Sequence, residues 1–200
     1  MEEKIMSNFI NQQLTNKDFS NENLSYFDFS NTICCSCDFS STNLKGAIFL
    51  GATLNNCCFN HANVDQTNFR HSLIVDCQLD NLKNKEKAFY LNLSCPETGA
   101  FIAYKQCMDF RMVQLLIPSD AKRSSATNNT CRCDKAKVLS IKNIDYTQTY
   151  DDAQSLVDEN FIYHQGEWIY SDYFCDNRWI DSTYGIHFYM TREEAIDYLK

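Results

Sequence analysis

The sequence of 200 residues has no long apolar run. A helix that spans a bilayer needs roughly 20 consecutive apolar residues, and no stretch approaches that length. The N-terminal segment MEEKIMSNFI begins with acidic residues and lacks the basic-then-apolar order of a secretory signal. We therefore expect a cytoplasmic protein without a membrane partner, whose 11 cysteines are reduced thiols.

An excess of basic charge is also missing. The chain has 18 Lys and Arg against 26 Asp and Glu, and the two signs are interspersed. This balance argues against binding to nucleic acid through a broad positive face. The sequence also contains no Gly-rich phosphate loop and no nucleophile motif. Cys34, Cys35 and Cys37 have no second cluster at zinc spacing. We therefore predict a non-enzymatic protein with no cofactor and no metal.

What the sequence does contain is a period of five. Large apolar residues and one cysteine occupy every fifth position, at Phe9, Leu14, Phe19, Leu24, Phe29, Cys34, Phe39, Leu44, Phe49, Leu54, Phe59, Val64, Phe69, Ile74 and Leu79. Small residues stand two places before most of them. A five-residue side with one large and one small inward residue can form one wall of a square coil. Four sides make a coil of about 20 residues, and coils stack at the spacing of β-strands.

Stacking predicts contacts between residues that are twenty apart. One ladder should hold Phe9, Phe29, Phe49 and Phe69, and a facing ladder should hold Phe19, Phe39 and Phe59. A polar ladder of Asn23, Asn43 and Asn63 should satisfy backbone groups at the turns. The same register places Cys37, Cys57 and Cys77 in one column of small inward residues, which favours a packing role for these thiols.

The stretch GAIFLGATLNNCCFNHANVDQTNF resembles the pentapeptide-repeat family over residues 7–81. The resemblance implies a right-handed quadrilateral β-helix. Some members of this family mimic DNA and bind gyrase, which requires a long and strongly negative rod. Residues 7–79 contain only six acidic and three basic residues, so we favour a scaffold or interaction surface. We predict a β-helix over 1–81 and a cap or linker over 82–94.

A different pattern begins near Ala88 and predicts a small α+β domain over 95–200. Several stretches have the composition of strands: GAFIAYKQC, RMVQLLIP, KVLSIKNI, the hairpin-like NFIYHQGEWIYSDYF, and GIHFYM. Thr191 followed by Glu194 is typical of a capping box and predicts a final helix, REEAIDYLK. The protein as a whole is expected to be mainly β.

Two stretches of this domain are candidates for binding an anion. The segment DAKRSSATNNTCRCDKAKVLSI concentrates basic and hydroxyl side chains, which suit phosphate or carboxylate recognition. His187 alternates with Ile186 and Phe188 on a predicted strand. The alternative is a solvated segment neutralised by Asp120 and Asp134, with His187 in the core. The candidate ligand-binding residues are Lys122, Arg123, Ser124, Ser125, Thr127, Arg132, Lys135 and His187.

The same stretches resemble an uncharacterised domain that follows pentapeptide or similar repeats in bacteriophage and bacterial proteins. The resemblance covers roughly residues 95–200 and implies a phage or viral protein in the host cytosol. We expect the β-helix to position this domain against a host protein, with a homodimer as an expected assembly. The alternative function is capture of a phosphorylated small molecule, such as a nucleotide signal of host defence. ADP-ribosyl transfer by Arg123, Ser124 and Glu193 or Glu194 rests on residue types alone and is disfavoured.

Overall fold

The computed structural model describes residues 9–180 and 183–198. The chain divides into two compact units, Met1–Asn92 and Leu93–Lys200, and the boundary lies inside the segment predicted as a cap or linker. Predictions for residues 1–8, 181–182 and 199–200 fall outside the described residues. Within the described ranges, no helix is long and apolar enough to cross a membrane.

The first unit is a coil whose strands pair in parallel at a separation of twenty residues. Its sheet consists of β1 (Gln13–Thr15), β2 (Ile33–Cys35), β3 (Thr53–Asn55) and β4 (Leu73–Val75). Leu14 pairs with Cys34, which pairs with Leu54. The other sides are joined by single parallel bridges, such as Asn23 to Asn43 and Asn43 to Asn63. The quadrilateral β-helix predicted from the period of five is therefore confirmed.

The interior of the coil contains both predicted phenylalanine ladders. The ring of Phe49 stacks on Phe29 at 4.7 Å and on Phe69 at 5.3 Å, with interplanar angles of 5° and 7°. On the facing ladder the ring of Phe39 lies 5.0 Å from Phe19 and 4.8 Å from Phe59. Successive rings of the two ladders meet edge to face, the geometry that aromatic quadrupoles prefer. These side chains are almost fully buried.

The small inward residues supply hydrogen bonds as well as space. The Thr42 hydroxyl donates to the Phe19 carbonyl at 2.7 Å. The thiols of Cys37 and Cys57 donate to carbonyls that also lie 23 residues earlier, at 3.5 Å. Each of these buried donors is thus paired with a carbonyl of the preceding turn of the coil, as is usual for buried polar groups. The predicted structural role of the cysteine column, which also includes Cys77, agrees with this geometry.

The corners of the coil recur every five residues with a left-handed backbone. Most of these positions hold Asn, His, Ser or another polar residue with φ between 52° and 65°. Asn tolerates this region better than most residues. At Gly46 a side chain would also meet an obstacle, because a Cβ atom there would lie 2.6 Å from the Tyr26 ring. The sequence pattern identified the inward columns but not this corner column.

The coil continues beyond the predicted end of the repeats. Lys83 forms a parallel bridge with Asn63, and Phe89 forms one with Asn68. A short 3-10 helix, Lys85–Lys87, lies between these two bridges. The segment after Asn81 therefore extends the ladder before the unit ends at Asn92.

The described residues of the second unit form three antiparallel sheets. Their strands are β5 (Phe101–Gln106), β6 (Arg111–Ile117), β7 (Arg123–Ser125), β8 (Cys131–Cys133), β9 (Lys135–Asn143), β10 (Asp152–Gln154), β11 (Ile162–His164), β12 (Trp168–Tyr170) and β13 (Ile186–Phe188). A four-stranded sheet has the order β12-β9-β6-β5, a three-stranded sheet has the order β13-β8-β7, and β10 pairs with β11. A 3-10 helix, Met108–Phe110, connects β5 to β6.

One predicted element is wrong. NFIYHQGEWIYSDYF has the pattern of a hairpin, but its two strands do not pair with each other. β11 pairs with β10 through Tyr163 and Ala153, whereas β12 pairs with β9 through Ile169 and Ala136. The turn at Gly166 hydrogen-bonds to Val138 of β9, so the chain changes sheets there. The alternation of apolar and polar residues located β11 and β12 correctly but did not indicate which strands they pair with.

The final helix, α1 (Arg192–Asp197), has the predicted capping box. The Thr191 hydroxyl accepts a hydrogen bond from the Glu194 amide at 3.2 Å, and the Glu194 carboxylate accepts one from the Thr191 amide at 3.1 Å. These bonds satisfy two amide groups that a helix start otherwise leaves unpaired. Together with the sheets, α1 makes this unit an α+β domain, as predicted.

Candidate functional site

The predicted basic segment does not converge on a ligand position. Arg123, at the start of β7, directs its guanidinium to main-chain carbonyls of two loops, the one before β5 and the one before β7. It donates to Pro118 at 2.6 Å and to Gly99 at 2.7 Å, and it lies over the Phe101 ring at 5.2 Å. A planar guanidinium in contact with several carbonyls holds loops together, so in this structure Arg123 is engaged by the protein itself.

Arg132, on β8, is even more deeply engaged. Only 1% of this residue is exposed. Its Nε, Nη1 and Nη2 atoms donate to the carbonyls of Cys175, Ile180 and Asn177 at 2.8, 3.1 and 2.6 Å. Arg132 thereby fixes the loop that follows β12. These contacts give Arg132 a structural role, which the basic composition of the segment did not indicate.

The other residues of this segment are buried or neutralised. Ser124, Ser125 and Thr127 are nearly inaccessible to solvent, and the Ser125 hydroxyl accepts a hydrogen bond from the Ser94 amide at 2.8 Å. Lys135 forms an ion pair with Asp120 at 2.6 Å. Lys122 is exposed, and its amide binds the Asp134 carboxylate. Of the alternative of a solvated segment neutralised by Asp120 and Asp134, the ion pair of Asp120 with Lys135 is present, whereas most of the segment is buried rather than solvated.

His187 is the predicted site residue that lines a cavity. This cavity of about 630 Å³ lies within the second unit, in the size range of small-molecule sites. Buried side chains form its inner end, and exposed ones surround its mouth. The inner end is lined by Lys105, Ser155, Tyr163 and Ile186, with the half-buried Phe161 and His187 beside them.

Lys105 is the unusual member of this lining. The residue is only 9% exposed, and within residues 9–180 and 183–198 its ammonium has no hydrogen bond and no ion pair. Burial lowers the pKa of Lys105 from its ordinary value, because loss of water penalises the charged form. The nearby thiols of Cys107 and Cys133 do not balance its charge, since burial raises the pKa of each to about 12.

Strand alternation explains why Lys105 is buried. Side chains of β5 at Ala103 and Lys105 point to the same face, and Ala103 belongs to the hydrophobic core. Cys107, two residues later, belongs to that core too. A lysine in phase with apolar core residues was therefore visible in FIAYKQC. We predicted the strand but overlooked this signal.

Tyrosines and two carboxylates surround the mouth of the cavity. Tyr170, Tyr173 and Tyr184 are 62%, 70% and 68% exposed, and all three line the cavity together with Asp158 and Asp172. The rings of Tyr173 and Tyr184 lie 5.8 Å apart at an angle of 59°. Exposed aromatic side chains at the rim of a cavity are a common feature of ligand sites.

Two residues of the set considered for ADP-ribosyl transfer make structural contacts. The Glu194 carboxylate serves the helix cap, and Arg123 is bound to carbonyls. Among the described residues, no group of three or more His, Cys, Asp or Glu side chains could hold a metal ion.

The coil and the domain after it define the class of the protein. A coil with a repeat of five residues and inward phenylalanine ladders is that of a pentapeptide repeat protein, and the pentapeptide repeat model matches residues 36–70 with eight copies. The model of a family of unknown function, DUF5758, matches residues 91–195. This match covers more than half of the chain, so the protein belongs to that family.

Solved structures of pentapeptide repeat proteins also match. One is a protein of the Arabidopsis thaliana thylakoid lumen, with 29% identity and a TM-score of 0.36 over 36% of this chain and 50% of that chain. Another is HetL from the cyanobacterium Nostoc, a protein involved in regulating heterocyst differentiation, with 19% identity and a TM-score of 0.26 over 38% and 40%. The chain thus spans half or less of the length of these two relatives. The chain matches no curated protein.

Proposed function

We propose that the C-terminal unit is a binding module for a small organic anion that pairs with Lys105 in the cavity, and that the protein acts by binding, without catalysis. The observation that carries this proposal is the Lys105 ammonium. The Lys105 residue is nine-tenths buried and lines a cavity of about 630 Å³, and its ammonium has no hydrogen-bonding or ionic partner among the described residues.

Burial of the Lys105 charge has a cost in free energy. An ammonium removed from water is destabilised by several kcal/mol unless it is paired. A carboxylate or phosphate bound in the cavity would supply the missing partner and offset that cost. Lys105 and His187 therefore support the alternative function, capture of an anionic small molecule, at a different place from Arg123 and Arg132.

We further propose that the coil is a rigid scaffold with an interaction surface. Ile33 and Leu73 occupy outward positions of β2 and β4 and are 40% and 37% exposed. A flat strand face with exposed apolar residues favours association with a protein. The partner in this proposal is a host protein or a second copy of the chain. Loss of association in the Ile33→Lys/Leu73→Lys variant, measured by sedimentation and by pull-down, would support the scaffold role.

The ligand proposal is tested by native mass spectrometry of the full chain purified from cells. The protein is analysed before and after incubation with a panel of carboxylates and phosphate esters, and bound compounds are released by heat. We expect a bound anion on the wild type and on Lys122→Met, and its loss from Lys105→Met. Carboxylates and phosphates are distinguished by the mass of the released compound. A wild type that remains empty after the panel would overturn the proposal, as would equal loading of Lys105→Met.

A further inference from the structure

We infer that the ligand of this cavity is a zwitterion, with its anionic group against Lys105 and an organic cation against Tyr173, Tyr184 and the carboxylates of the mouth. The inference rests on the proposed function and specifies its ligand class. It follows from the opposite chemistry of the two ends of the cavity.

The inner end favours an anion. Lys105 is the lysine of the lining, and the other residues of this end are Ser155, Phe161, Tyr163, Ile186 and His187. Tyr163 remains a neutral phenol, since burial raises its pKa well above the ordinary value. An anion would therefore meet one full positive charge in a poorly solvated place, where electrostatic attraction is strong.

The mouth favours a cation. Asp172 is exposed and, within the described parts of the chain, its carboxylate has no hydrogen bond or ion pair. One oxygen of Asp158 accepts the Asn160 amide at 3.0 Å, which leaves the other oxygen for a ligand. The faces of tyrosine rings attract organic cations, and paired rings are the usual form of such sites.

Hydrogen bonds to main-chain carbonyls order the segments that carry the two tyrosines. The Cys175 amide donates to the Tyr184 carbonyl at 3.2 Å, which joins the two segments. The Ser171 hydroxyl donates to the Tyr173 carbonyl at 2.6 Å and fixes the turn after β12. Segments that are ordered before binding lose little freedom when a ligand arrives.

The charges of the lining favour a zwitterion over the simpler ligand classes. A simple anion would pass two carboxylates, Asp158 and Asp172, on its way to Lys105. A simple cation would bind at the mouth but leave the buried ammonium unpaired. In a zwitterion, the anionic group can pair with Lys105 while the cationic group lies near the carboxylates of the mouth, so its charges are complementary to those of the cavity.

The test uses probes that differ only in charge. Phosphocholine is compared with 3,3-dimethylbutyl phosphate, in which carbon replaces the nitrogen, and with choline, which lacks the anion. A carboxylate series pairs 4-trimethylammoniobutanoate with 5,5-dimethylhexanoate. We expect the zwitterion of at least one series to bind the full-length protein about tenfold more tightly than its uncharged-head analogue, and choline to bind more weakly than either, as measured by calorimetry.

Variants connect each end of the probe to its residue. Asp172→Asn and Tyr184→Leu should reduce zwitterion binding to the level of the analogue, whereas Tyr184→Phe, which keeps the ring, and Asp176→Asn, an exposed neighbour outside the lining, should not. Lys105→Met should abolish binding of both. Equal affinity of zwitterion and analogue would overturn this inference and leave the proposed function intact. Failure of every probe would also overturn it, while the mass spectrometry decides separately on anion binding.

Discussion

The ring of Phe49 stacks on that of Phe29 at 4.7 Å and almost parallel, although twenty residues separate them. This relationship shows how the coil is held together. Each phenylalanine contacts its counterpart in the next turn and meets the facing ladder edge to face. The repeat of five thus becomes a continuous aromatic interior, in which removal of one ring affects both neighbours.

Phe49→Ala is expected to lower the free energy of unfolding by about 3–5 kcal/mol, the usual cost of an aromatic side chain removed from a packed core. Phe89→Ala is the matched control, because Phe89 is 53% exposed and should cost about 0.5 kcal/mol. Chemical denaturation of both variants gives the comparison. Similar losses in the two variants would contradict the stacked-ladder account.

Arg132→Met is expected to destabilise the second unit by roughly 3 kcal/mol, because the buried guanidinium and its hydrogen bonds to three main-chain carbonyls are lost. Lys122→Met, which changes an exposed residue of the same segment, should leave stability nearly unchanged. Thermal denaturation of the two variants tests this difference. A fully stable Arg132→Met protein would return Arg132 to the list of candidate ligand contacts.

The stability difference between Lys105→Met and the wild type should depend on pH. The pKa of Lys105 is lowered in the folded state from 10.5, so between the lowered pKa and 10.5 the unfolded chain binds more protons. The Lys105 contribution to stability therefore rises with pH across this window. The advantage of the variant should be largest at pH values below the window and shrink as the pH rises towards 10.5.

Denaturation at a series of pH values checks this prediction. The cysteine contributions act in the opposite direction above about pH 9, since raised thiol pKa values make the folded state hold more protons there. They are common to both proteins and largely cancel in the difference. A difference that does not vary with pH would show that Lys105 is not destabilised by its burial.

The cysteines should separate into two groups by their reactivity. Burial raises the pKa of Cys107 and Cys133 to about 12, and alkylation requires the thiolate. Cys35, Cys58 and Cys175 are partly exposed and should be alkylated first by iodoacetamide at pH 8. Peptide mass spectrometry of the folded protein measures the order. Early labelling of Cys107 would indicate that the core opens readily.

The coil could be predicted almost completely from the sequence because its period is local and strict. Each inward residue, such as Phe49, is fixed by its position in the repeat. The left-handed corners escaped notice because residues as different as Asn31 and His61 occupy them. These polar residues tolerate the left-handed conformation, but they share no single residue type that a sequence pattern could detect.

The strands and the capped helix of the second unit could be predicted from the sequence, but the pairing of the strands could not. The alternation of apolar and polar residues locates β11 and β12. Their pairing depends on contacts with other strands, and β11 pairs with β10 whereas β12 pairs with β9. The candidate site illustrates the same limit. Arg132 is a basic residue that a sequence pattern assigns to anion binding, but its contacts give it a structural role. Lys105 lies in an apolar strand, and only the cavity around it indicates a binding role.

The most direct test of the central claim is an NMR titration of the protein labelled with ¹³C at the lysine Cε atoms, with the Lys105 signal identified by its loss in Lys105→Met. The account predicts that the pKa of Lys105 is below the ordinary lysine value in the free protein. Saturation with phosphocholine should raise it, because a bound anion stabilises the ammonium. A Lys105 signal that titrates at the ordinary lysine value and does not move with the probe would contradict the claim that this cavity holds an unpaired buried ammonium for an anion.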